Sequence, residues 1–342
     1  MKVGWIDVDP GVSVYQSRSY GEAAVLSSGA RWDVIGSEDG RWRVPLAISD
    51  ISGPGGEDAA SPYGYAGIHA DATLGADEVR TAWAGTLEVM RERGLVSAFL
   101  RFAPYRHGIE TTRVLDGMAL VELSETIVVG LGDEKSMWDA MHGRSRTAIR
   151  KAEREGLSVR FSIDVGRDLA PGSGFRHVYE EAMRRVDASA LHFHDDEYYA
   201  RLASAPDVEM HLLEVVDVDG LVVAATLLFV DSEAVHYHLS GSLIDGARKG
   251  ANNLMIWTAM KWAAQRGYRR MHLGGGTSRG DGLYRFKASF GGDSLPFLSG
   301  RVILDEEEYD ARVRERAVDL GVPEADLRSS SFFPAYRAVV AS

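Results

Sequence analysis

Three consecutive glycines at the end of an apolar strand limit most strongly how this chain can fold. They open the stretch LGGGTSRGDGLYRFKASFG, residues 273–291, in which a glycine-rich turn leads into a short amphipathic helix carrying Phe286 and Lys287. Glycine costs backbone entropy, so three in a row mark a place where another backbone or a ligand must come close. A cation beside such an opening can serve an anionic substrate or a developing negative charge. We therefore expect the chemistry of this protein to lie there.

Composition excludes several classes of protein. The 342 residues suffice for two domains, and 45% hydrophobic with 26% charged residues is typical of a globular chain. The absence of cysteine excludes disulfides, thiolate metal sites and cysteine nucleophiles. A net charge of −12 argues against non-specific binding of long nucleic acids, although a local basic patch can bind a short piece. With neither a signal peptide nor a membrane span in the sequence, we expect a cytoplasmic protein, acting as a monomer.

The first half of the chain reads as mixed α and β. Residues 32–48 alternate as in a hairpin, 76–93 fit a helix, and 95–102 and 118–129 fit strands. The long loop at 52–68 contains Tyr63 and Tyr65. These tyrosines either line a pocket or only anchor the loop, and the sequence leaves both alternatives open.

The pattern of residues 135–156 predicts a helix with two different faces. Its apolar residues fall within one arc of about 100°, and Gly156 ends the helix as a C-cap does. The opposite side carries Arg144, Arg146, Arg150, Lys151 and Arg154. This basic side is either an ordinary solvated face or a surface that binds phosphates.

The second half has a strand meander followed by a loop, a helix, a strand, a short helix and a strand. The strands are predicted at 211–216, 221–230, 234–241, 270–273 and 296–304. The loop SLIDGARKGAN leads into the helix at 253–266. This order resembles the core of GNAT-type acetyltransferases, in which that loop presents backbone N–H groups to the pyrophosphate of a CoA donor. His192 and His194 lack a third committed ligand, so no metal site is predicted.

More specifically, the sequence resembles the Fem family of non-ribosomal, aminoacyl-tRNA-dependent transferases. Four stretches carry the resemblance: SPYGYAGI, RSRTAIRKAEREGL, the YHLSGSL–ANNLMIW pair and GLYRFKASFGG. It implies an α/β (α+β) fold of two acetyltransferase-like domains, with mixed, mostly antiparallel sheets flanked by helices. The expected domains are 1–134 with 319–342, and 135–318 with the catalytic motif. The family moves an amino acid from a charged tRNA onto an amine of a cell-wall precursor or a peptide antibiotic intermediate.

The resemblance also implies roles for individual residues. Phe286 and Lys287 match the family's Phe-Lys pair near the reacting ester, where the lysine would stabilise the oxyanion as the amine attacks. The alternative is that Lys287 only pairs with Asp281 or Asp293 on the surface. The expected substrate-binding residues are Tyr63, Tyr65, Arg101, Tyr237, His238, Arg248, Asn252, Gly274, Gly275 and Arg285. The expected tRNA or phosphate contacts are Arg144, Arg146, Arg150, Lys151, Arg154 and Lys249.

The chain departs from the family at one position that matters for the mechanism. Compact members carry Asp-Pro after an apolar strand of the first domain, whereas this chain has Ala103-Pro104. The amine proton would then go to the substrate, to water or to a residue such as His238, although a lone strand histidine is more often structural. The departure also loosens the case for a cell-wall precursor as acceptor.

Three functional hypotheses follow from the sequence. The first is an aminoacyltransferase that uses aminoacyl-tRNA as co-substrate, needs no other cofactor and acts on a peptide or peptide-nucleotide acceptor. The second is an acyl-CoA N-acyltransferase that uses residues 246–251 for pyrophosphate. The third is a catalytically silent binding module in which the glycines serve packing alone.

Overall fold

The computed structural model describes residues 1–7, 13–52, 55–104, 115–232, 234–276 and 278–338. Residues 53–54 of the predicted loop at 52–68, and residues 339–342 of the expected C-terminal segment, lie outside this part of the chain. Among the described residues, no helix combines the length and the apolar character needed to cross a membrane.

The chain divides into two compact units. Unit 1 consists of Met1–Pro10, Ala24–Leu123 and Phe297–Ser342, and unit 2 of Gly11–Ala23 and Ser124–Pro296.

These bounds differ from the expected domains in three respects. Residues 124–134 belong to unit 2, because residues 126–130 pair there with residues 270–275. An N-terminal segment joins unit 2 because Ser13 Oγ donates to Asp231 Oδ2 at 2.9 Å and Tyr15 OH bonds His238 Nδ1 at 3.2 Å. Residues 297–318 join unit 1 because their strand pairs there and Val313 packs in a small core with Val96.

Unit 1 is a mostly antiparallel sheet flanked by helices. Its strands are β1 (Val3–Trp5), β2 (Arg31–Ser37), β3 (Trp42–Asp50), β4 (Glu57–Ala60), β5 (His69–Ala70), β6 (Leu95–Arg101) and β13 (Asp293–Ile303, from Phe297 onward). Its helices are α2 (Ala76–Glu92), α11 (Glu306–Leu320) and α12 (Glu324–Ser329), with 3-10 turns at Leu26–Ser28 and Ala335–Arg337. The strand order is β1-β2-β3-β4-β6-β13, with β5 on β3 and only β4–β6 parallel. Trp42 and Trp83 are the largest buried side chains of its core.

Unit 2 has a second mostly antiparallel arrangement. Its strands are β7 (Ala119–Gly130, from Ser124 onward), β8 (Ser158–Phe161), β9 (Glu209–Val216), β10 (Val222–Val230), β11 (Val235–Ser242) and β12 (Arg270–Gly275). Its helices are α1 (Arg18–Val25, to Ala23), α3 (Glu134–Ala140), α4 (Gly143–Arg154), α5 (Val165–Leu169), α6 (Gly174–Arg185), α7 (Asp196–Ser204), α8 (Ile244–Lys249), α9 (Ala251–Gln265) and α10 (Gly282–Ala288), with 3-10 turns at Val14–Gln16 and Ala190–His192. The strand order is β7-β12-β11-β10-β9-β8. Every residue of β10 is buried, as expected of a central strand covered on both faces.

The predicted helix at 135–156 is wrong in one respect, because the chain forms two helices there. α3 ends at Ala140, and Met141 and His142 adopt extended backbone angles before α4 begins. His142 N donates to Ser289 O at 2.9 Å, and Arg146 Nη1 donates to the carbonyls of Trp138, Asp139 and Met141. The break thus satisfies both helix ends and turns the start of α4 toward α10.

The predicted loop before the central helix is wrong as well. Residues 244–249 form the one-turn helix α8, and α9 begins at Ala251 rather than at 253. Gly250 joins the two helices with a φ of 93°. A Cβ on Gly250 would clash with Ala148 O of α4, so glycine permits both the left-handed backbone and the close approach of α4.

Replacing Gly250 by alanine should therefore destabilise the protein more than the same change at an open glycine. The control is Gly267→Ala, where φ is 85° and a Cβ would meet nothing within 4 Å. The control should lose about 1–2 kcal/mol from the left-handed backbone. The Gly250 variant should lose about 1–3 kcal/mol more, because α4 must shift. Urea unfolding of both variants measures the difference, and equal losses would contradict this account of the α4 contact.

Candidate active site

Strands β11 and β12 run side by side for only a short distance. Their parallel pairing consists of Val235↔Met271 and His236↔His272, although β11 continues to Ser242 and β12 to Gly275. Beyond the histidine pair, β11 stays paired with β10, and β12 with β7. The facing backbone edges therefore separate, and an opening forms between the strand ends of unit 2.

The three glycines shape one side of this opening. The register between β12 and β7 shifts between His272 and Gly274, and Gly274 has a φ of 72°. A Cβ on Gly275 would lie 2.5 Å from Glu125 O of β7, and one on Gly276 would clash with the Asp281 carboxylate. The glycines thus allow a β-bulge and the close approach of β7 and of the Asp281 carboxylate. The sequence predicted such a close approach of another backbone.

A capped turn holds α10 directly after the glycines. Asp281 Oδ1 accepts from Tyr284 N at 2.7 Å, and Oδ2 accepts from Ser278 N at 3.0 Å. At the other end of α10, Ser289 Oγ and Ser145 Oγ of α4 share a buried hydrogen bond of 2.7 Å. This Ser145–Ser289 bond was not predicted from the sequence, because nothing in the local pattern of either serine indicates a partner so far along the chain.

Lys287 reaches from α10 to the end of β12. Its side chain is buried, with the residue 8% exposed, and Nζ donates to Gly275 O at 2.6 Å. Nζ also lies 6.0 Å from the ring centroid of Tyr237 on β11. Among the described residues it has no carboxylate ion-pair partner, and Asp281 is committed to capping α10. The expected alternative of a surface pair with Asp281 or Asp293 is therefore wrong.

Burial changes the acid–base behaviour of this lysine. It lowers the pKa of the Lys287 ammonium to about 8, while the nearby charge of Asp281 acts in the opposite direction. His272, on the neighbouring strand, has a pKa well below its ordinary value because it is buried, and the charges of His236 and Lys287 lower it further. At neutral pH the site therefore holds a cation beside an uncharged imidazole.

Other predicted residues of unit 2 have contacts of their own. Phe286 is half-buried against the core of unit 2 and meets Phe290 edge to face at 5.4 Å. Tyr237 OH bonds Ser240 Oγ, and Asn252 Nδ2 donates to Ser242 Oγ at 3.0 Å. The exposed Arg285 donates to Gly280 O at 2.7 Å. Contacts to Lys287 itself thus come from Gly275 and Tyr237.

His238 is held away from this group. Its two ring nitrogens bond Tyr15 OH and Tyr198 OH, each at 3.2 Å, and its ring stacks on Phe229 at 4.0 Å. Burial keeps the pKa of His238 well below its ordinary value. The structure thus places this histidine in a packing role and does not bring it to the lysine.

The basic residues of α4 divide into two kinds. Arg146 caps α3, and Lys151 Nζ donates to Arg248 O at the end of α8 at 2.8 Å. Arg144, Arg150 and Arg154 are exposed, with Arg144 Nη2 on Arg285 O at 3.0 Å and Arg150 above Trp138 at 5.1 Å. Among the described residues none of these five forms an ion pair with a carboxylate, nor does Lys249. The exposed members and Lys249 form what we call the α4 basic surface (Arg144, Arg150, Arg154 and Lys249).

In unit 1, the predicted tyrosines lie with the predicted arginine. The Arg101 guanidinium is 5.9 Å from the Tyr63 ring, and its Nη2 donates to Ser61 O at 2.8 Å. Tyr65 meets Phe297 edge to face at 5.1 Å. Tyr63 is 43% exposed and Tyr65 is half-buried.

Residues 141–288 match the family model described as acetyltransferase (GNAT) domain. The crystal structure of FemX superposes over 91% of this chain and 99% of its own, with a TM-score of 0.71 and 13% identity. A comparison with curated protein sequences finds no match.

Two further structures share the fold. The C-terminal domain of a putative lysylphosphatidylglycerol synthetase from Agrobacterium fabrum has a TM-score of 0.55 and 16% identity, covering 85% of this chain and 87% of its own. A tandem GNAT protein from the clavulanic acid biosynthesis pathway has a TM-score of 0.51 and 9% identity, covering 89% and 99%. At these identities the likeness concerns the fold.

The lowered pKa of Lys287 makes a testable change in stability with pH. The unfolded chain binds this proton up to the ordinary lysine value of 10.5, whereas the folded chain loses it near 8. The unfolded state thus binds more protons between these values, so the free energy of unfolding rises as the pH rises from about 8 to 10.5. The full gain is on the order of 3 kcal/mol.

The measurement compares wild type with Lys287→Met, which lacks the titrating group, by urea unfolding across this pH range. Wild type should gain stability relative to the variant as the pH rises. Lys135→Met serves as control, since that lysine is exposed and its hydrogen bond with Asp139 raises its pKa. If the difference in unfolding free energy between wild type and Lys287→Met stayed constant across this pH range, burial would not lower the pKa of Lys287.

Proposed function

We propose that this chain, which has the tandem GNAT-type fold of FemX and carries an acyltransferase domain at residues 141–288, is an aminoacyltransferase. It would move an aminoacyl group from an aminoacyl-tRNA to an amine of a peptide acceptor, with no other cofactor. The observation that carries the proposal is the buried Lys287 ammonium, which lies at the opening between β11 and β12 and donates to a carbonyl oxygen.

The chemistry follows from what Lys287 already does. Its N–H group bonds Gly275 O, so an ester carbonyl entering the opening offers the same kind of acceptor. The acceptor amine attacks the ester carbon, a C–N bond forms, and the carbonyl oxygen becomes an oxyanion beside the ammonium. The C–O bond to the tRNA ribose then breaks, and the departing oxygen takes up the proton that the amine loses. A preorganised donor of this kind contributes on the order of 3 kcal/mol to such a transition state.

The position occupied by Ala103 supplies no carboxylate that could take the amine proton. That residue is buried and carries no titratable group. His238 is bonded at both ring nitrogens and does not serve either. The amine proton therefore passes to water or directly to the departing oxygen.

The α4 basic surface supports a tRNA donor. Its four cations have no carboxylate partners among the described residues, in a chain with a net charge of −12. Cations that are kept free of ion pairs on one surface suit phosphates, which give affinity without reading sequence.

An acyl-CoA donor is the second candidate, favoured by the GNAT domain match. The structure offers it less support than the sequence did, because α8 replaces the predicted pyrophosphate loop. The N–H groups of Ala247 and Gly250 donate to Leu243 O and Ala247 O within that helical turn. A Cβ on Gly246 would meet Val223 O of β10 at 2.7 Å, so α8 packs closely on that strand.

The identity of the donor is tested by measuring the transfer of labelled amino acids from a mixture of charged tRNAs to a peptide amine. Transfer should be abolished by RNase treatment and should not occur from acetyl-CoA. Transfer from acetyl-CoA that survives RNase would establish the second candidate instead.

Lys287→Ala should lower turnover at least tenfold with the fold intact, because the oxyanion loses its donor. Lys135→Ala, an exposed lysine elsewhere in unit 2, is the matched control and should keep wild-type turnover. Circular dichroism checks that both variants are folded. Wild-type turnover in Lys287→Ala would remove the lysine from the mechanism.

The α4 basic surface is tested by the salt dependence of tRNA binding. The Arg150→Ala/Arg154→Ala pair should weaken binding more at low salt than at high salt and reduce the log–log salt slope by about one to two units. Arg80→Ala in unit 1, whose arginine pairs with Asp77, is the control and should leave the slope unchanged. An unchanged slope in the double variant would make α4 an ordinary solvated face.

A further inference from the structure

A cavity of about 430 Å³ lies within unit 1, far along the sequence from Lys287. It is bounded by α11, by Ile51 and Ser52 after β3, and by the 3-10 turn Ala335–Arg337. Three arginines and two carboxylates line it, which is an unusual concentration of charge for a pocket that the transfer reaction does not use.

One of the arginines has a purely structural role. Arg312 is 5% exposed, and its Nε donates to Glu308 Oε1 at 2.7 Å. Its Nη1 contacts Ser52 O and Glu315 Oε2 at 3.3 and 3.4 Å, and its Nη2 donates to Gly55 O. Each of its nitrogens is therefore used, and its single positive charge is shared between Glu308 and Glu315.

The other two arginines are held by hydrogen bonds through Nε and Nη2, and the Nη1 group of each forms none with a described residue. Arg316 donates to Ala338 O through Nε at 3.2 Å and Nη2 at 2.9 Å. Arg337 bonds both oxygens of Asp58, at 2.6 and 2.8 Å, and Nη2 also donates to Asp50 O at 2.8 Å. Within the described part of the chain, the Nη1 groups of both arginines have no partner. They are preoriented donors for a planar anion such as a carboxylate.

The cavity also holds an uncommitted carboxylate. Asp319 follows Arg316 by one turn of α11, and it forms no hydrogen bond or ion pair with any residue that the structure describes. Tyr336 contributes a ring wall, since its OH is already bonded to Ser97 and Asp58 at 2.8 and 2.9 Å. The open polar groups are thus two N–H donors and one carboxylate.

We propose that this cavity binds a small zwitterion, namely an α-amino acid or an unblocked dipeptide. The ligand's carboxylate would lie on Arg316 and Arg337, and its ammonium on Asp319. An anion alone would use the two Nη1 donors but not Asp319, and a cation alone would use Asp319 but neither donor, whereas a zwitterion uses all three groups. The volume falls within the range of small-molecule sites. The inference is independent of the transfer reaction.

The test uses calorimetry on the full chain with L-alanyl-L-alanine and two blocked forms. N-acetylation removes the ammonium, and C-terminal amidation removes the carboxylate. The unblocked dipeptide should bind, and each blocked form should bind at least tenfold more weakly. Absence of heat from the unblocked dipeptide and from L-alanine at millimolar concentrations would overturn the proposal, as would equal binding of all three dipeptides.

Asp319→Asn tests the ammonium contact directly. This exposed substitution should weaken binding of the unblocked dipeptide about tenfold while leaving the affinity of the N-acetylated form unchanged. Arg314→Gln, on the same helix but outside the cavity, is the control and should bind as wild type does. Unaltered dipeptide binding in Asp319→Asn would contradict the assignment, and thermal unfolding confirms that both variants are folded.

Discussion

The early end of the ladder between β11 and β12 is the constraint on which the candidate site depends. Two parallel strands that stop pairing after His236↔His272 leave facing backbone edges, and these edges can be satisfied by a ligand instead of by each other. The bulge at Gly274 and the close approach at Gly275 turn β12 away and place a carbonyl at the rim. Lys287 then reaches that carbonyl from α10, which its capping aspartate and the Ser145–Ser289 bond hold in place.

Lys287 is buried, and no carboxylate of the described residues forms an ion pair with it, which gives the site its chemical character. A buried ammonium normally pairs with an acid or loses its proton, because desolvation disfavours the charge. Here Asp281 is near enough to oppose the loss of the proton but is committed to the helix cap. The cation thus remains available for an incoming oxygen, whereas a direct ion pair would have neutralised it in advance. This arrangement connects the capped turn with the electrostatic role proposed for Lys287.

Much of this arrangement was predictable from local sequence patterns. The mixed, mostly antiparallel fold and the tandem GNAT-type resemblance are confirmed. Both could be predicted because the alternation of apolar residues within short segments indicates each element and so the element order. The failures arose where distant residues decide the outcome. Hydrogen bonds to Ser289 and from Arg146 accompany the break of the predicted helix at Met141. Residues 244–249 form a helix where a loop was expected, and Gly250 after it lies against α4. The division of α4 cations into capping and exposed groups, and the tyrosines that hold His238, likewise depend on contacts that no periodicity reveals.

The central claim is that Lys287 donates to the oxygen that becomes negatively charged during acyl transfer. A structure of the protein with a tRNA acceptor-stem analogue ending in a phosphonate, which mimics the tetrahedral intermediate, tests it most directly. The account predicts a phosphonate oxygen about 3 Å from Lys287 Nζ, in the opening between β11 and β12, in place of or beside Gly275 O. A phosphonate bound elsewhere, with the lysine still bonded only to Gly275 O, would contradict it.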